Sequence, residues 1–274
     1  MSSPSPDWAA LAAARFPFPE AVPVPDLVAG LSRMLVSPDP AVRDDQAYTA
    51  LARWTREGRL DAVLGELGDL GARRLGHAEV QARAFAPLVL RCVLERAAVV
   101  PGAVPEARLA SWYERFRDWY PAERDTRGWD DRLGWLHAVA HGADAAGAFG
   151  AVLPERRVEL LRLCARRMTA PDTDYRYAQL EDARLARAVC RLLAAPGLGA
   201  DEATGWLDVV SEALEGGGPG PGPVPVWAGN TFATLQSLHV HLTRGLAQEG
   251  VPPHAHAVAD RVAALLRLPL WWLA

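Results

Sequence analysis

From Asp26 to Leu268 the chain repeats one pattern. Apolar residues recur three and four positions apart, in runs closed by proline or glycine, and no convincing apolar–polar alternation occurs. That spacing builds the faces of helices and leaves nothing from which to build a sheet. Leu60, Val63, Leu64, Leu67 and Leu70 form one such stripe; Leu109, Trp112, Tyr113 and Phe116 form another. Between them, Phe85 to Leu94 is apolar nearly all round, which predicts a central helix. The expected fold class is all-α, with about ten to twelve antiparallel helices of roughly 12–22 residues and short connections. An α-solenoid of the HEAT kind satisfies this, as does a compact α/α array. No unit of sequence repeats cleanly, so any repeats are degenerate.

The breaks in the pattern set the organisation. Residues 1–25 are rich in serine and proline and read as an N-terminal segment, with Asp26 the expected N-cap of the first long helix. Residues 26–274 read as a single all-helical domain. Within it, GGGPGPGPVP at 216–225 can be neither helix nor strand. It reads as an interhelical loop, because the two helices expected after it are too few for an independent core. The chain ends in LPLWWLA, an apolar tail suited to docking on the core or to an oligomer contact.

Composition narrows the function classes. A net charge of −4 argues against a nucleic-acid partner or an acidic membrane. All 29 basic residues are arginine, so Schiff-base chemistry and a phosphate-loop lysine are excluded. Cys92, Cys164 and Cys190 are far apart and form no CxxC pair, which suits buried thiols in a reducing compartment. The N-terminus lacks a basic region followed by an apolar core, and no uncharged apolar run approaches about 18 residues. The expected location is cytoplasmic, with no membrane partner. No GxSxG elbow occurs, and no strand is expected that could carry a nucleotide-binding loop.

One stretch interrupts the apolar pattern in helical register: DTRGWDDRLGWLHAVAHGADAAGA at 125–148. Good helix formers run on from about Asp130. At roughly 100° per residue, His141 lies about 40° round from His137 and Asp144 about 20° the other way. Asp130 joins the same stripe if the helix reaches back that far. Two histidines at i and i+4 can close on one metal ion, with a neighbouring carboxylate as ligand or orienter. His137 and His141 are therefore the candidate metal ligands, and a divalent metal ion the candidate cofactor. Ala138 follows His137, so the glutamate of a metalloprotease helix is missing. A metal-free polar pocket, or structural ties from buried histidines, fits the same spacing. Asp44 projects from an apolar face one turn before Tyr48, and Glu181 is aligned with Leu185, Ala188 and Leu192. Unpaired buried charge is expensive, so these groups are expected to meet, with Arg127 and Arg184 as counter-charges. Asp44, Asp144, Glu181 and Arg184 are the candidate catalytic residues.

Several segments together resemble a bacterial family, domain of unknown function 2785. They are Arg43-Asp44 with Ala47-Tyr48, Leu51 and Trp54; Asp125 with Arg127-Gly128-Trp129; Gly134-Trp135, His137-Ala138, Ala140-His141 and Ala143-Asp144; and Glu181-Asp182 with Arg184-Leu185-Ala186. The likeness covers most of residues 30–195, and GW-x-HA-x-AH-x-x-D is its specific part. The resemblance implies an all-helical cytoplasmic protein and no particular reaction. Two function classes follow from the residues. One is a metal-dependent or acid–base site, hydrolase-like, acting on a small molecule or peptide. The other is a non-enzymatic helical scaffold that binds a peptide or protein partner.

Overall fold

The computed structural model describes residues 6–216, 222–245 and 250–268. Half of the Gly/Pro loop (217–221) and the apolar tail from 269 onward lie outside the described residues. The chain runs through α1 (Trp8–Ala13), α2 (Val24–Met34), a π-helical segment Ala41–Tyr48 leading directly into α3 (Thr49–Arg56), α4 (Leu64–Arg74), α5 (Val80–Val99) and α6 (Glu106–Ala122). A two-stranded hairpin follows, β1 (Trp129–Asp130) and β2 (Gly134–Trp135). Then come α7 (Ala138–Val152), α8 (Arg157–Met168), α9 (Glu181–Ala194), α10 (Ala200–Gly205), α11 (Asp208–Gly216), α12 (Val226–Arg244) and α13 (Ala255–Arg267). The protein is all-α apart from that hairpin. No described helix is long and apolar enough to cross a membrane.

Helices α3, α5, α7, α9 and α12 are successive neighbours, and α4, α6 and α8 form a second row packed on α5, α7 and α9. The centre is α7, in which every residue from Ala138 to Gly150 is buried. Its composition explains its place. Alanine and glycine let four surrounding helices come close, and a methyl group at Gly142 would overlap the Tyr120 ring of α6. Tyr120 Oη donates to Val139 O (2.8 Å), so the polar end of that ring is also satisfied against α7. Helix α5 is apolar nearly all round, as its sequence requires, and packs on α3, α4 and α7. One contiguous buried cluster extends from Phe16 to Leu265.

Three local departures from the helical pattern matter for the site. First, the helix expected from Asp130 begins only at Ala138. Asp130 Oδ1 accepts the N–H groups of Arg132 (3.0 Å) and Leu133 (2.9 Å), and Gly134 takes φ +69°, which closes a three-residue hairpin loop. Asp130 is thereby spent on a turn and leaves the histidine stripe. Second, α9 starts only at Glu181, and the residues from Tyr175 to Leu180 before it are not helical. Asn230 of α12 accepts from Tyr177 N and donates to Tyr175 O, both at 2.9 Å, and holds that segment extended. Third, the first long helix starts at Val24, before Asp26, with Pro23 as its N-cap and Pro25 in its first turn.

Candidate functional site

The N-termini of α7 and α9 meet. Each helix is entered through a side-chain-bearing residue in the left-handed region: His137 (φ 54°, ψ 32°) before α7 and Leu180 (φ 66°, ψ 23°) before α9. Such conformations are costly outside glycine, and they persist where the surroundings hold them. Here the hairpin does the holding. Leu136 N donates to Gly128 O (2.9 Å) and His137 N to Arg127 O (3.1 Å) before the first helical bond, His141 N to His137 O (2.8 Å), begins α7.

Glu181 is the first residue of α9 and is fully buried. Its Oε2 accepts from Gln179 N (2.9 Å), and its Oε1 lies 3.4 Å from His137 Nε2. His137 Nε2 and Glu181 Oε1 are both buried and neither has a hydrogen-bond partner among the described residues, so their approach is a close contact rather than a hydrogen bond. Gly128 makes room for the carboxylate, because a methyl group there would overlap Glu181 Oε1. Burial pushes the His137 imidazole down to about 4, helped by the Arg184 charge and opposed by the Gln179 backbone. Burial also raises the Glu181 carboxyl. Both shifts favour the uncharged form, and at neutral pH the imidazole is neutral, so the two side chains do not form an ion pair.

His141 lies one turn further into α7, its ring 5.7 Å from that of His137 and nearly perpendicular to it. Its Nδ1 is 2.9 Å from Ala84 O, one turn before Pro87 interrupts the α5 ladder. Burial pushes His141 down to about 3. A neutral imidazole that donates Nδ1–H to a carbonyl keeps its Nε2 lone pair. Among the described residues, no group of three or more His, Cys, Asp or Glu side chains is placed to hold a metal ion.

Asp144 ties three helices together. It accepts from Arg91 Nη1 of α5 (2.9 Å) and from Arg184 of α9 through Nε (3.0 Å) and Nη2. Burial alone would raise its carboxyl, but the Arg184 hydrogen bonds and both guanidinium charges outweigh it and hold it below the usual value. Asp44 takes a different partner. It pairs with the fully buried Arg43 (Nε to Oδ1, 2.7 Å), which also donates to Leu133 O (2.6 Å) and Trp135 O (3.2 Å) of the hairpin and to Ser37 O (3.1 Å). Desolvation raises the Asp44 carboxyl to about 6 against the pull of Arg43. Both groups sit on the π-helical segment, an uncommon geometry that recurs at functional sites.

Ring contacts run alongside these charges. Trp129 packs edge-on against Trp135 (centroids 4.8 Å), which stacks on His137 (4.6 Å); beyond His141 the line continues to Phe85 (5.1 Å) and Tyr48 (6.1 Å). The structure thus brings together His137, His141 and Glu181, and joins Asp144 to Arg184. Asp44 reaches the hairpin only through Arg43. Arg127 is occupied by Asp125 and Asp130. Sequence reasoning missed Arg91 and Glu95, which lie four residues apart on α5 and pair with each other (3.0 Å). That spacing was the available signal.

A family model described as "Protein of unknown function (DUF2785)" matches residues 71–240. The chain belongs to this family. The DUF2785 match takes in Arg91, His137, His141, Asp144, Glu181 and Arg184, and leaves Arg43 and Asp44 outside it. No curated protein and no solved structure matches the chain. The DUF2785 core therefore contains both the imidazole–carboxylate pair and the arginine-clamped Asp144.

Proposed function

We propose that this DUF2785 protein carries an acid–base site of the hydrolase-like kind at the junction of α7 and α9. His137 exchanges the proton and Glu181 orients its ring. The 3.4 Å approach of His137 Nε2 to Glu181 Oε1, two buried polar atoms with no hydrogen-bond partner among the described residues, carries this reading. A base held in register by a buried carboxylate is the arrangement acid–base catalysis needs. The left-handed entries at His137 and Leu180 support it, since such backbone clusters at sites where geometry is imposed. Arg184 and the Arg91–Asp144 pair form the charged wall beside the imidazole. In this reading residues 26–274 act as one domain, and the two rows of helices are an α-solenoid whose successive helices α5, α7 and α9 line the site.

The test is a panel of chromogenic carboxyl, phosphoryl and amide esters, assayed with the wild-type chain, His137→Ala and Glu181→Gln. A turnover reduced about 100-fold or more in His137→Ala, and by a smaller factor in Glu181→Gln, is expected. Turnover that survives both substitutions, or none on the whole panel, removes the acid–base reading.

A second reading rests on a separate observation. Trp129 and Trp135 are 44% and 40% exposed, yet are locked against each other across the hairpin. Rigid, exposed aromatic pairs suit the anchoring of a peptide or protein partner. A pull-down lost in a Trp129→Ala, Trp135→Ala double variant and kept in His137→Ala would favour this scaffold.

A further inference from the structure

A separate cleft opens where the π-helical segment and α3 face α5. It encloses about 350 Å³ and is lined by Tyr48, Ala52, Arg56, Arg91, Cys92, Glu95, Arg96 and Val99. Three guanidinium groups face one carboxylate in this lining, although the whole chain has a net charge of −4. Asp144 and Asp61 reach Arg91 and Arg96 from outside this lining, so Arg56 is the one of the three with no carboxylate partner among the described residues.

The arginines are arranged rather than scattered. Arg91 uses Nε on Glu95 and Nη1 on Asp144, leaving Nη2 without a hydrogen bond. Arg96 is held two-pronged by Asp61, Nε to Oδ1 (2.8 Å) and Nη2 to Oδ2 (2.6 Å), leaving Nη1. Arg56 is exposed and, among the described residues, makes no hydrogen bond or ion pair. Two guanidinium groups are thus fixed by carboxylates, each with a donor to spare, beside a third with no partner. This is a pre-organised set of donors for an oxyanion. The apolar part of the lining comes from Ala52, Cys92 and Val99, the last of them 70% exposed.

We propose that this cleft binds a small molecule with an anionic head group, phosphate or carboxylate, and an apolar body. The head takes the spare donors of Arg56, Arg91 and Arg96, and the body lies along Ala52 and Val99. The volume suits such a ligand. The proposal does not depend on chemistry at His137.

Calorimetric titration of the full chain with phenyl phosphate and with phenylacetate tests it and separates the two head groups. Arg56→Gln is the informative variant, because Arg56 is exposed and makes no hydrogen bond or ion pair among the described residues, so an unchanged melting temperature is expected. Saturable binding of either probe by wild type, weakened about tenfold or more in Arg56→Gln, is expected. Val99→Asp should weaken it too, by setting a carboxylate at the mouth of the cleft. Absence of binding for both probes, or affinity in Arg56→Gln equal to wild type, overturns the assignment.

Discussion

Replacing Arg43 with alanine is expected to destabilise the fold by about 3–5 kcal/mol, the range for breaking a buried, hydrogen-bonded charge pair. The side chain is fully buried and is the only described link between the π-helical segment and the hairpin made by one guanidinium. Its loss strips donors from Leu133 O, Trp135 O and Ser37 O at once, and removes the cation over the Phe85 ring (4.7 Å). Each carbonyl left dry adds its own penalty. Asp44, already raised to about 6, loses the neighbour that holds it down and shifts further up. Urea denaturation of the variant at neutral pH measures the effect. A loss below about 1 kcal/mol would mean that water replaces the guanidinium and that the hairpin is not anchored through Arg43.

Asp144→Asn is expected to cost about as much at neutral pH, because it leaves Arg91 and Arg184 facing each other without the carboxylate between them. This effect has a pH signature. The folded Asp144 carboxyl is held below the ordinary aspartate value of 3.8. A depressed carboxylate contributes stability that is present above the unfolded pKa and is lost as pH falls through the folded one. The gap between wild type and Asp144→Asn should therefore be widest above about pH 5 and shrink below 3.8. Melting temperatures of both proteins across that range check it. A gap independent of pH would show that the amide fails for steric reasons rather than for want of charge.

Much of this was legible in the sequence for a simple physical reason. A carboxylate on an apolar face, such as Glu181 aligned with Leu185 and Leu192, has to be buried and has to be accommodated. The periodicity of Leu109 to Phe116 likewise returned in α6, and that of Leu60 to Leu70 in α4 from Leu64 onward, with Leu60 and Val63 in the turn before it. The hairpin was not legible by periodicity, since its strands are two residues long. It was legible by turn chemistry, because Asp130 and Gly134 bracket a loop whose N–H groups need an acceptor and whose last residue needs a positive φ. The i, i+4 spacing of His137 and His141 survives, but as a left-handed cap and the first turn of α7 rather than as two positions on a continuous helix. The extended stretch before α9 was hidden because its partner, Asn230, lies far along the chain on α12. Arg43 was visible in the family resemblance, yet nothing in local pattern distinguishes a buried arginine from a solvated one.

The stacking of Trp135 on His137 gives the protein an optical readout of its own. An indole in face contact with an imidazole loses emission when that imidazole gains a proton. Trp135 is one of ten tryptophans and also packs on Trp129, so the part of the emission that follows His137 is the difference between the wild-type chain and Trp135→Phe. With His137 pushed down to about 4, that quenching sets in well below the range in which an ordinary histidine would show it. That difference in light thereby reports the protonation state on which the proposed chemistry turns.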